Sequence, residues 1–195
     1  MKKYVFIAGI LSSAVFAQES SWQYMGGIQV SGGGDHLFYG KYSDGTKVDI
    51  TAGGGLAVNL GVSHKINSAV NLQTTLGIHT DGTLGTNGNA SFTRFPLEVM
   101  GFYQLNNQYL IGAGVRKSLA AKLSTSGVAT YQPSAEFNGS VGQVIELQYV
   151  LVQPKKKSTA KTAVNFRYVN ESFTEKNAGV KVKGNHIGIG VVFYN

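Results

Sequence analysis

His186-Ile187-Gly188-Ile189-Gly190-Val191-Val192-Phe193 stands at the end of the chain and alternates strictly between two kinds of residue. Successive side chains of a β-strand point to opposite faces of the sheet. One face of this stretch therefore carries a continuous apolar stripe, and the other is mostly small or polar. The pattern predicts a strand that separates an apolar environment from a polar one.

Seven earlier segments repeat this alternation, which gives eight predicted strands: 22–31, 48–62, 69–80, 91–105, 108–118, 141–153, 162–172 and 186–193. Pro96 lies inside the fourth strand and cannot donate to a ladder, so we expect a bulge there. The odd-numbered connections are long and the even-numbered ones are shorter, as in barrels that span a membrane. The long ones are 32–47, 81–90, 119–140 and 174–184. The prediction is an all-β, eight-stranded antiparallel up-and-down transmembrane β-barrel.

The composition of the chain excludes several classes of function. The chain of 195 residues has no cysteine, 26 glycines and only 14% charged residues. Disulfides, thiol catalysis and cysteine metal sites are therefore excluded. The net charge of +7 comes with no basic patch interleaved with stacking aromatics, so we do not expect nucleic-acid binding. We expect no cofactor and no metal, because Asp35, His36 and Asp44 do not show a convincing ligand spacing.

The first residues are typical of an export signal. Lys2 and Lys3 precede an apolar run over 4–14, and Val15-Phe16-Ala17 offers a cleavage site. The run is shorter than the roughly 20 residues that a membrane-spanning helix needs, which disfavours a retained anchor. We therefore predict a cleaved signal peptide at 1–17 and a barrel domain at 18–195.

Alternation alone does not tell which face is outside, since a soluble lipocalin-like barrel or a β-sandwich would turn its apolar face inward. The polar face favours a closed interior, because its strand charges are balanced and include no lysine. We expect these side chains to pair within the lumen: Arg94, Glu98, Arg116, Glu146, Arg167 and Glu171. On this prediction Leu56, Leu97 and Ile189 face lipid.

Aromatic residues on the apolar face cluster at the same end of their strands. Tyrosine and tryptophan favour the depth at which lipid tails meet head groups, because one end of each ring is apolar and the other is polar. An aromatic girdle is therefore predicted at the periplasmic end: Trp22, Tyr24, Tyr103, Tyr109, Tyr149 and Phe193.

The final strand also resembles the C-terminal assembly signal of bacterial outer-membrane barrels, on His186, Gly188, Val191 and Phe193. Such barrels usually end on the aromatic residue, whereas Tyr194 and Asn195 follow it here. Residues 18–195 resemble the small eight-stranded outer-membrane barrels of Gram-negative bacteria, the group of the OmpA transmembrane domain, OmpX and Opa. The resemblance implies a monomer in the outer membrane that is recognised by the assembly machinery. It also implies contacts with lipids and lipopolysaccharide, and a surface ligand held by the long loops.

Three functions stay open for such a barrel. The first is a structural and surface-interaction scaffold with a narrow, ion-paired lumen, which we favour. The second is a narrow porin or an OmpW-like channel, although eight strands leave room for little more than side chains, and the apolar lumen residues Met25, Met100 and Phe102 are few. The third is a lipid A-modifying enzyme, for which a serine and an acid must meet a histidine.

The histidines available to an enzyme are His36, His64, His79 and His186, with Asp81 and Ser91 in the loop next to His79. We interpret them as polar rim residues and predict no catalytic residue. Lys155, Lys156 and Lys157 form a charge run that we interpret as a solvated turn, with contact to anionic lipid as the alternative.

Overall fold

The structure is a computed structural model that describes residues 21–41, 47–84, 88–152 and 160–195. The predicted signal peptide at 1–17, Asp44 and the lysine run at 155–157 lie outside these ranges. Within the described part of the chain, no helix is long and apolar enough to cross a membrane.

The described residues form strands joined by turns and one short 3-10 helix, Val128–Tyr131. In chain order the strands are β1 (Trp22–Gly32), β2 (His36–Lys41), β3 (Lys47–Thr51), β4 (Gly55–Lys65), β5 (Val70–Leu84), β6 (Gly88–Gln104), β7 (Tyr109–Gly127), β8 (Ala135–Gly139), β9 (Val141–Val152), β10 (Lys161–Asn170), β11 (Ser172–Glu175), β12 (Lys181–Lys183) and β13 (His186–Tyr194).

Eight of these strands close into an antiparallel barrel in the order β1, β4, β5, β6, β7, β9, β10 and β13. The last strand pairs back with the first, and β7 closes the ring against β9 from Tyr109↔Tyr149 to Lys117↔Val141. Every barrel strand thus has two hydrogen-bonded neighbours, which is how a sheet satisfies its backbone groups in lipid. The predicted eight-stranded up-and-down barrel is confirmed.

The barrel has the reverse polarity of a soluble one. Leu60 on the outer wall is 70% exposed and Ile189 is 44% exposed, whereas Arg94 is 0% and Glu98 is 6% exposed. Leu56 and Leu97 also face outward. Large apolar side chains cover the wall while charged ones fill the interior, so the soluble barrel with an apolar core is excluded. This polarity is that of a barrel whose wall contacts lipid tails.

The second predicted strand, 48–62, was wrong as a single element. The chain breaks at 52–54 into β3, which pairs with β2 in a separate two-stranded sheet, and β4, which enters the barrel. Gly55 at the break has a φ of 108°, and a Cβ there would lie 2.0 Å from the Thr80 carbonyl oxygen. Only glycine fits such a close approach. Ile50 and Ala52 consequently turn inside, where both are 0% exposed.

Three of the predicted long loops are largely β-structure. The described residues of the region 81–90, which are 81–84 and 88–90, belong to the ends of β5 and β6. Residues 119–140 are mostly in β7 and β8, and residues 174–184 include parts of β11 and β12. With 17 and 19 residues, β6 and β7 exceed the roughly 9 to 11 that a tilted crossing needs. The barrel wall therefore continues beyond the membrane as a sheet that includes β8, β11 and β12.

The bulge expected at Pro96 is present. Arg94 pairs with Ala121 and Pro96 with Ser118, so one residue of β6 faces two residues of β7. Because side chains alternate, the extra residue in β7 moves its inward face from even to odd positions. Ala121 and Leu123 are buried beyond the bulge for this reason.

We predict that Leu60→Arg destabilises the barrel by about 2–4 kcal/mol, because it places a charge at mid-depth on the lipid-facing wall. Ser124→Arg is the matched control, since Ser124 is exposed on the part of β7 beyond the membrane. Equilibrium unfolding in phospholipid vesicles measures both variants. Equal losses of unfolding free energy for the two would contradict the assigned depth.

Candidate functional site in the barrel lumen

Charged side chains of alternating sign form one continuous chain across the middle of the lumen. They come from β6, β7, β9 and β10 and from the break after β10, and their inward positions follow from strand alternation. From one end of this chain of ion pairs to the other, the nitrogen–oxygen distances are 3.2 Å for Glu146–Arg167, 2.7 Å for Arg167–Glu98, 2.6 Å for Glu98–Arg116, 3.3 Å for Arg116–Glu171 and 4.0 Å for Glu171–Arg94.

The structure therefore brings together the six residues that the sequence proposed for the lumen. Glu98 lies at the centre, since one carboxylate oxygen accepts from Arg116 and the other from Arg167. Three arginines face three glutamates, so the cluster is neutral as a whole. Such pairing offsets the large cost of removing each ion from water. We call these six residues the ion chain.

The lumen is filled between the ion chain and the end that holds the termini. The Tyr194 hydroxyl accepts from Gln73 at 3.0 Å and donates to Gln148 at 2.6 Å, which spans the barrel from β5 to β9. Phe102 lies against Gly112, where a Cβ would come within 2.4 Å of its ring. A cavity of about 20 Å³ remains beside the ion chain, which is room for roughly one water molecule.

An apolar cap fills the opposite end of the barrel. The β2–β3 hairpin folds into the mouth and buries its side chains against those of the extended wall. Phe92 contacts Phe137 and Phe173 edge to face, with ring centroids 5.5 and 5.3 Å apart. We define the apolar cap by its buried residues: Leu37, Phe38, Val48, Ile50, Ala52, Ala90, Phe92, Ala121, Leu123, Ala129, Phe137 and Phe173.

The ion chain is joined to the cap by Arg94. Its guanidinium donates to the carbonyl of Ala52 at 2.5 Å and to that of Gly54 at 2.6 Å. Both carbonyls belong to the segment that returns from the hairpin to the barrel. On the other side of this segment, Asp81 accepts from the Thr51 amide at 2.8 Å. Charge-assisted bonds of this kind are among the stronger ones in proteins.

Side chains of the 3-10 helix region hold the hairpin's outer edge. Tyr131 donates from its hydroxyl to the carbonyl of Tyr39 at 2.5 Å, and Gln132 donates to the carbonyl of Leu37. An exposed strand edge offers backbone groups to other chains, and such side-chain contacts blunt it. The hairpin is therefore a fixed part of the mouth.

His79 and His186 lie inside the barrel, so their interpretation as rim residues was wrong. They are 0% and 2% exposed, with ring centroids 5.3 Å apart. Arg116 donates to Nδ1 of His79 at 3.2 Å, so the other nitrogen of a neutral ring carries the proton and donates to Ser31 Oγ at 2.9 Å. Ser31 then donates to Gly53. Strand alternation could have placed His79 inside, but Ser31 carried no signal of this contact.

The serine and acid proposed beside His79 do not assemble with it. Asp81 accepts from Thr51, and Ser91 lies on β6 with the outward-facing parity. His64 stacks on Trp22 with ring centroids 4.2 Å apart. None of these contacts forms a serine–histidine–acid arrangement.

His36 lies on the outer surface of the hairpin, with its Nδ1 2.6 Å from Asp49 Oδ1. The hydrogen bond and the charge of Asp49 raise the pKa of His36 above its ordinary value. Asp35 instead accepts from the Lys183 amide at 2.7 Å. Of the three residues considered for a cation, the two that the structure describes thus have separate partners.

The six aromatic residues proposed as a girdle lie at the barrel end that holds the termini, where the Tyr24 amide donates to Asn195 at 3.0 Å. Their placement is shown by the register: Trp22 and Tyr24 begin β1, Tyr103 ends β6, Tyr109 pairs with Tyr149, and Phe193 pairs with Gly26 and Thr162.

The proposed assembly signal divides between the two faces of β13. His186 points into the lumen, and a Cβ on Gly188 would come within 2.3 Å of the Gln29 side chain. Phe193 is 53% exposed on the outer wall and shares the outward parity of Val191. Its role as a signal stays a prediction, and so does that of the girdle.

We predict that Glu98→Gln destabilises the barrel by about 3–5 kcal/mol, because it leaves Arg116 and Arg167 buried without their shared carboxylate. Glu136→Gln makes the same chemical change in the exposed pair with Lys176 and serves as the control. Surface pairs contribute little, so its unfolding curve should match that of the unaltered protein. Denaturant midpoints that shift equally in both variants would argue against the ion chain.

We predict that Arg94→Met opens the hairpin, so that trypsin cleaves after Lys41 and Lys47 at least about tenfold faster, since two charge-assisted bonds are lost. Lys117→Met is the control, because Lys117 also donates to a carbonyl, that of Gly139, but does not contact the hairpin. Heat-modifiable gel migration checks that both variants are folded. Unchanged cleavage of the Arg94 variant would show that the arginine does not hold the hairpin.

Comparison with known proteins gives independent support for the fold. Models of protein families and the sequences of curated proteins give no match. Among solved structures, the chain is similar to Ail, the attachment invasion locus protein of Yersinia pestis, in complex with the heparin analogue sucrose octasulfate: 13% identity, a TM-score of 0.54, and coverage of 89% of this chain and 97% of that one.

A second Ail structure gives a TM-score of 0.51 at the same identity and coverage. Neisserial surface protein A gives 0.48 at 11% identity, with 89% of this chain and 96% of that one covered. At these identities the likeness concerns the fold. Together with the closed ring of strands and its lipid-facing wall, the two Ail structures show that this chain has the fold of the small eight-stranded outer-membrane β-barrels.

Proposed function

We propose that the protein is a closed barrel of the outer membrane that serves as a structural and surface-interaction scaffold. Export by the predicted signal peptide and insertion by the assembly machinery would bring it there as a monomer. The scaffold displays the extracellular part of the wall together with the hairpin. No transport through the lumen belongs to this function.

The observation that carries the proposal is the filled lumen. Tyr194 and its two glutamine partners close one end, the ion chain fills the middle, and the apolar cap fills the mouth. Beside the ion chain, the cavity of about 20 Å³ is too small for a solute. Side chains that pair with each other do not offer a path to ions or small molecules.

A channel with a side exit is the second candidate, and the barrel wall argues against it. Each pair of neighbouring barrel strands is joined by a ladder of backbone pairs, including the closing pair of β7 and β9. The ladder between β5 and β6 has one short interruption, between Leu76↔Leu97 and His79↔Arg94, and there the buried side chains behind the wall are the polar His79 and Arg94. A hydrophobic solute would need a gap in this wall and an apolar path behind it. Met25, Met100 and Phe102 are instead buried in packed clusters.

A hydrolase is disfavoured by the hydrogen bonds of His79. A general base must accept the proton of its serine, but the nitrogen that faces Ser31 carries a proton already, because Arg116 occupies the other nitrogen. The group that contacts the other nitrogen of His79 is the Arg116 guanidinium, which is a cation, whereas a catalytic triad needs an acid at this place. We therefore propose that the protein is not an enzyme.

The surface available to a partner is preformed. Tyr39 on the hairpin and Tyr131 on the 3-10 helix are both exposed, and the Tyr131 hydroxyl donates to the backbone carbonyl of Tyr39, which ties the hairpin to the helix. Loops and turns on a rigid scaffold commonly carry binding function. The Ail barrel was solved with sucrose octasulfate, which supports a surface role for this fold.

We predict that the purified barrel gives no conductance steps in planar bilayers. Replacing residues 36–51 by a short glycine-serine linker removes the hairpin but keeps all six residues of the ion chain. This variant should be less stable, but the middle of its lumen should still be closed. Regular conductance steps from the unaltered protein would overturn the proposal. A mass change of lipid A in cells that express the barrel would overturn its non-enzymatic part.

A further inference from the structure

Lysines gather on one sector of the extracellular wall, formed by β7, β8, β11 and β12. Val182 packs against the apolar cap, so its neighbours on β12 point outward. On β7, Ala121 and Leu123 are buried and the lysine between them is exposed. We call the outward lysines of this sector the basic face: Lys117, Lys122, Lys176, Lys181 and Lys183.

The basic face carries an excess of positive charge. Glu136 lies opposite Lys122 in the β7–β8 register and pairs with Lys176 at 2.9 Å. The other outward positions on β8 and β11 are polar and uncharged, such as Asn138 and Thr174. Three acidic residues lie near the five lysines: Glu136, Glu175, which directly precedes Lys176, and Asp35, whose carboxylate accepts from the Lys183 amide. The sector therefore has two more positive charges than negative ones (5 − 3).

The neighbouring sector, formed by β5 and β6, has no comparable charge. Among the described residues, the outward positions on the extracellular parts of β5 and β6 are uncharged: Thr80, Gly82, Asn89, Ser91 and Thr93. Lysines spread evenly over the surface would be expected if they only kept the protein soluble. Apart from Lys41 and Lys47 on the hairpin, the described extracellular lysines lie in this one sector, which indicates a partner that approaches from one side.

The height of the basic face is that of lipid head groups. Lys117 pairs in register with Leu97 and Val141, both of which are exposed on the lipid-facing wall. Lys183 is four residues before Ile187, which is 68% exposed on that wall. Residues 184 and 185 lie between β12 and β13, and four residues of extended chain span at most roughly 14 Å. The lysines therefore begin at the edge of the apolar belt and end within a head-group layer above it.

The direction of these side chains favours a lipid over a soluble partner. The lysines on β7 and β12 project sideways from the wall, because side chains of a strand stand roughly perpendicular to the sheet. A neighbouring lipid meets them without leaving the membrane, whereas a soluble polymer would have to descend among the head groups.

We propose that the basic face binds the phosphorylated head groups of lipopolysaccharide in the outer leaflet. The inference rests on the outer-membrane location in the proposed function and names the residues that contact the lipid. Lys122, Lys181 and Lys183 supply the charge that attracts the phosphates, while the acyl chains lie on the apolar wall below. Lysine attracts phosphate as a point charge, so no fixed geometry is required of these side chains.

The test uses the mature chain refolded in zwitterionic detergent and titrated with bisphosphorylated lipid A, with binding measured by native mass spectrometry. The variant is Lys122→Gln/Lys181→Gln/Lys183→Gln. Its control is Lys41→Gln/Lys47→Gln/Lys65→Gln, which makes the same charge change on the hairpin and at the opposite rim. We expect the first variant to lose on the order of 100-fold in affinity and the control to lose little. Added salt should weaken binding of the unaltered protein.

Three outcomes overturn the inference. The first is equal affinity of the unaltered protein and the basic-face variant for lipid A. The second is undiminished binding of dephosphorylated lipid A to the unaltered protein, which would assign the affinity to the acyl chains. The third is that the unaltered protein binds sucrose octasulfate and the basic-face variant does not, while the variant still binds lipid A. That result would assign the basic face to a soluble polyanion. Conductance of the unaltered barrel tests the proposed function separately, since a conducting barrel could still bind lipid A through these lysines.

Discussion

Ions inside a lipid-wrapped cylinder must neutralise one another, and this constraint governs the rest of the molecule. Neither the lipid outside nor the packed ends of the lumen can solvate a lone arginine or glutamate. Glu98 forms ion pairs with two arginines at once, and the other members of the ion chain form further pairs on both sides of these two. The lumen is narrow enough for these contacts because the barrel has eight strands.

Because of this constraint, polar and apolar residues alternate in the sequence of each membrane-spanning strand. Each inward polar residue requires an outward apolar neighbour while the strand is in the membrane, so the two-residue period persists along every crossing. Above the membrane the inside changes from charged to apolar, and the period alone cannot produce that change. The β7 bulge opposite Pro96 is the place where the parity shifts and Leu123 enters the apolar cap.

Much of this follows from the sequence alone. Alternation identifies the strands, the direction of their faces and the six ionic residues, because each depends only on neighbours along one chain. Which arginine meets which glutamate depends on the stagger between strands, which alternation does not determine. The hairpin was missed for a different reason: the apolar residues Ile50 and Ala52 continue the pattern of Leu56 and Val58, although Gly55 turns the chain between them. Ser31 has the inward parity of β1, but its contact with His79, two strands away on β5, depends on the stagger between strands.

The ion chain and the apolar cap depend on each other. The cap excludes water from the lumen, and hydrogen bonds among charged groups are stronger where water is excluded. The ion chain in turn supplies Arg94, whose two bonds to Ala52 and Gly54 hold the hairpin that completes the cap. Loss of either therefore weakens the other, so the mouth and the middle of the barrel form one cooperative unit. A surface built on such a unit binds a partner without first having to order its own loops, which lowers the entropic cost of association.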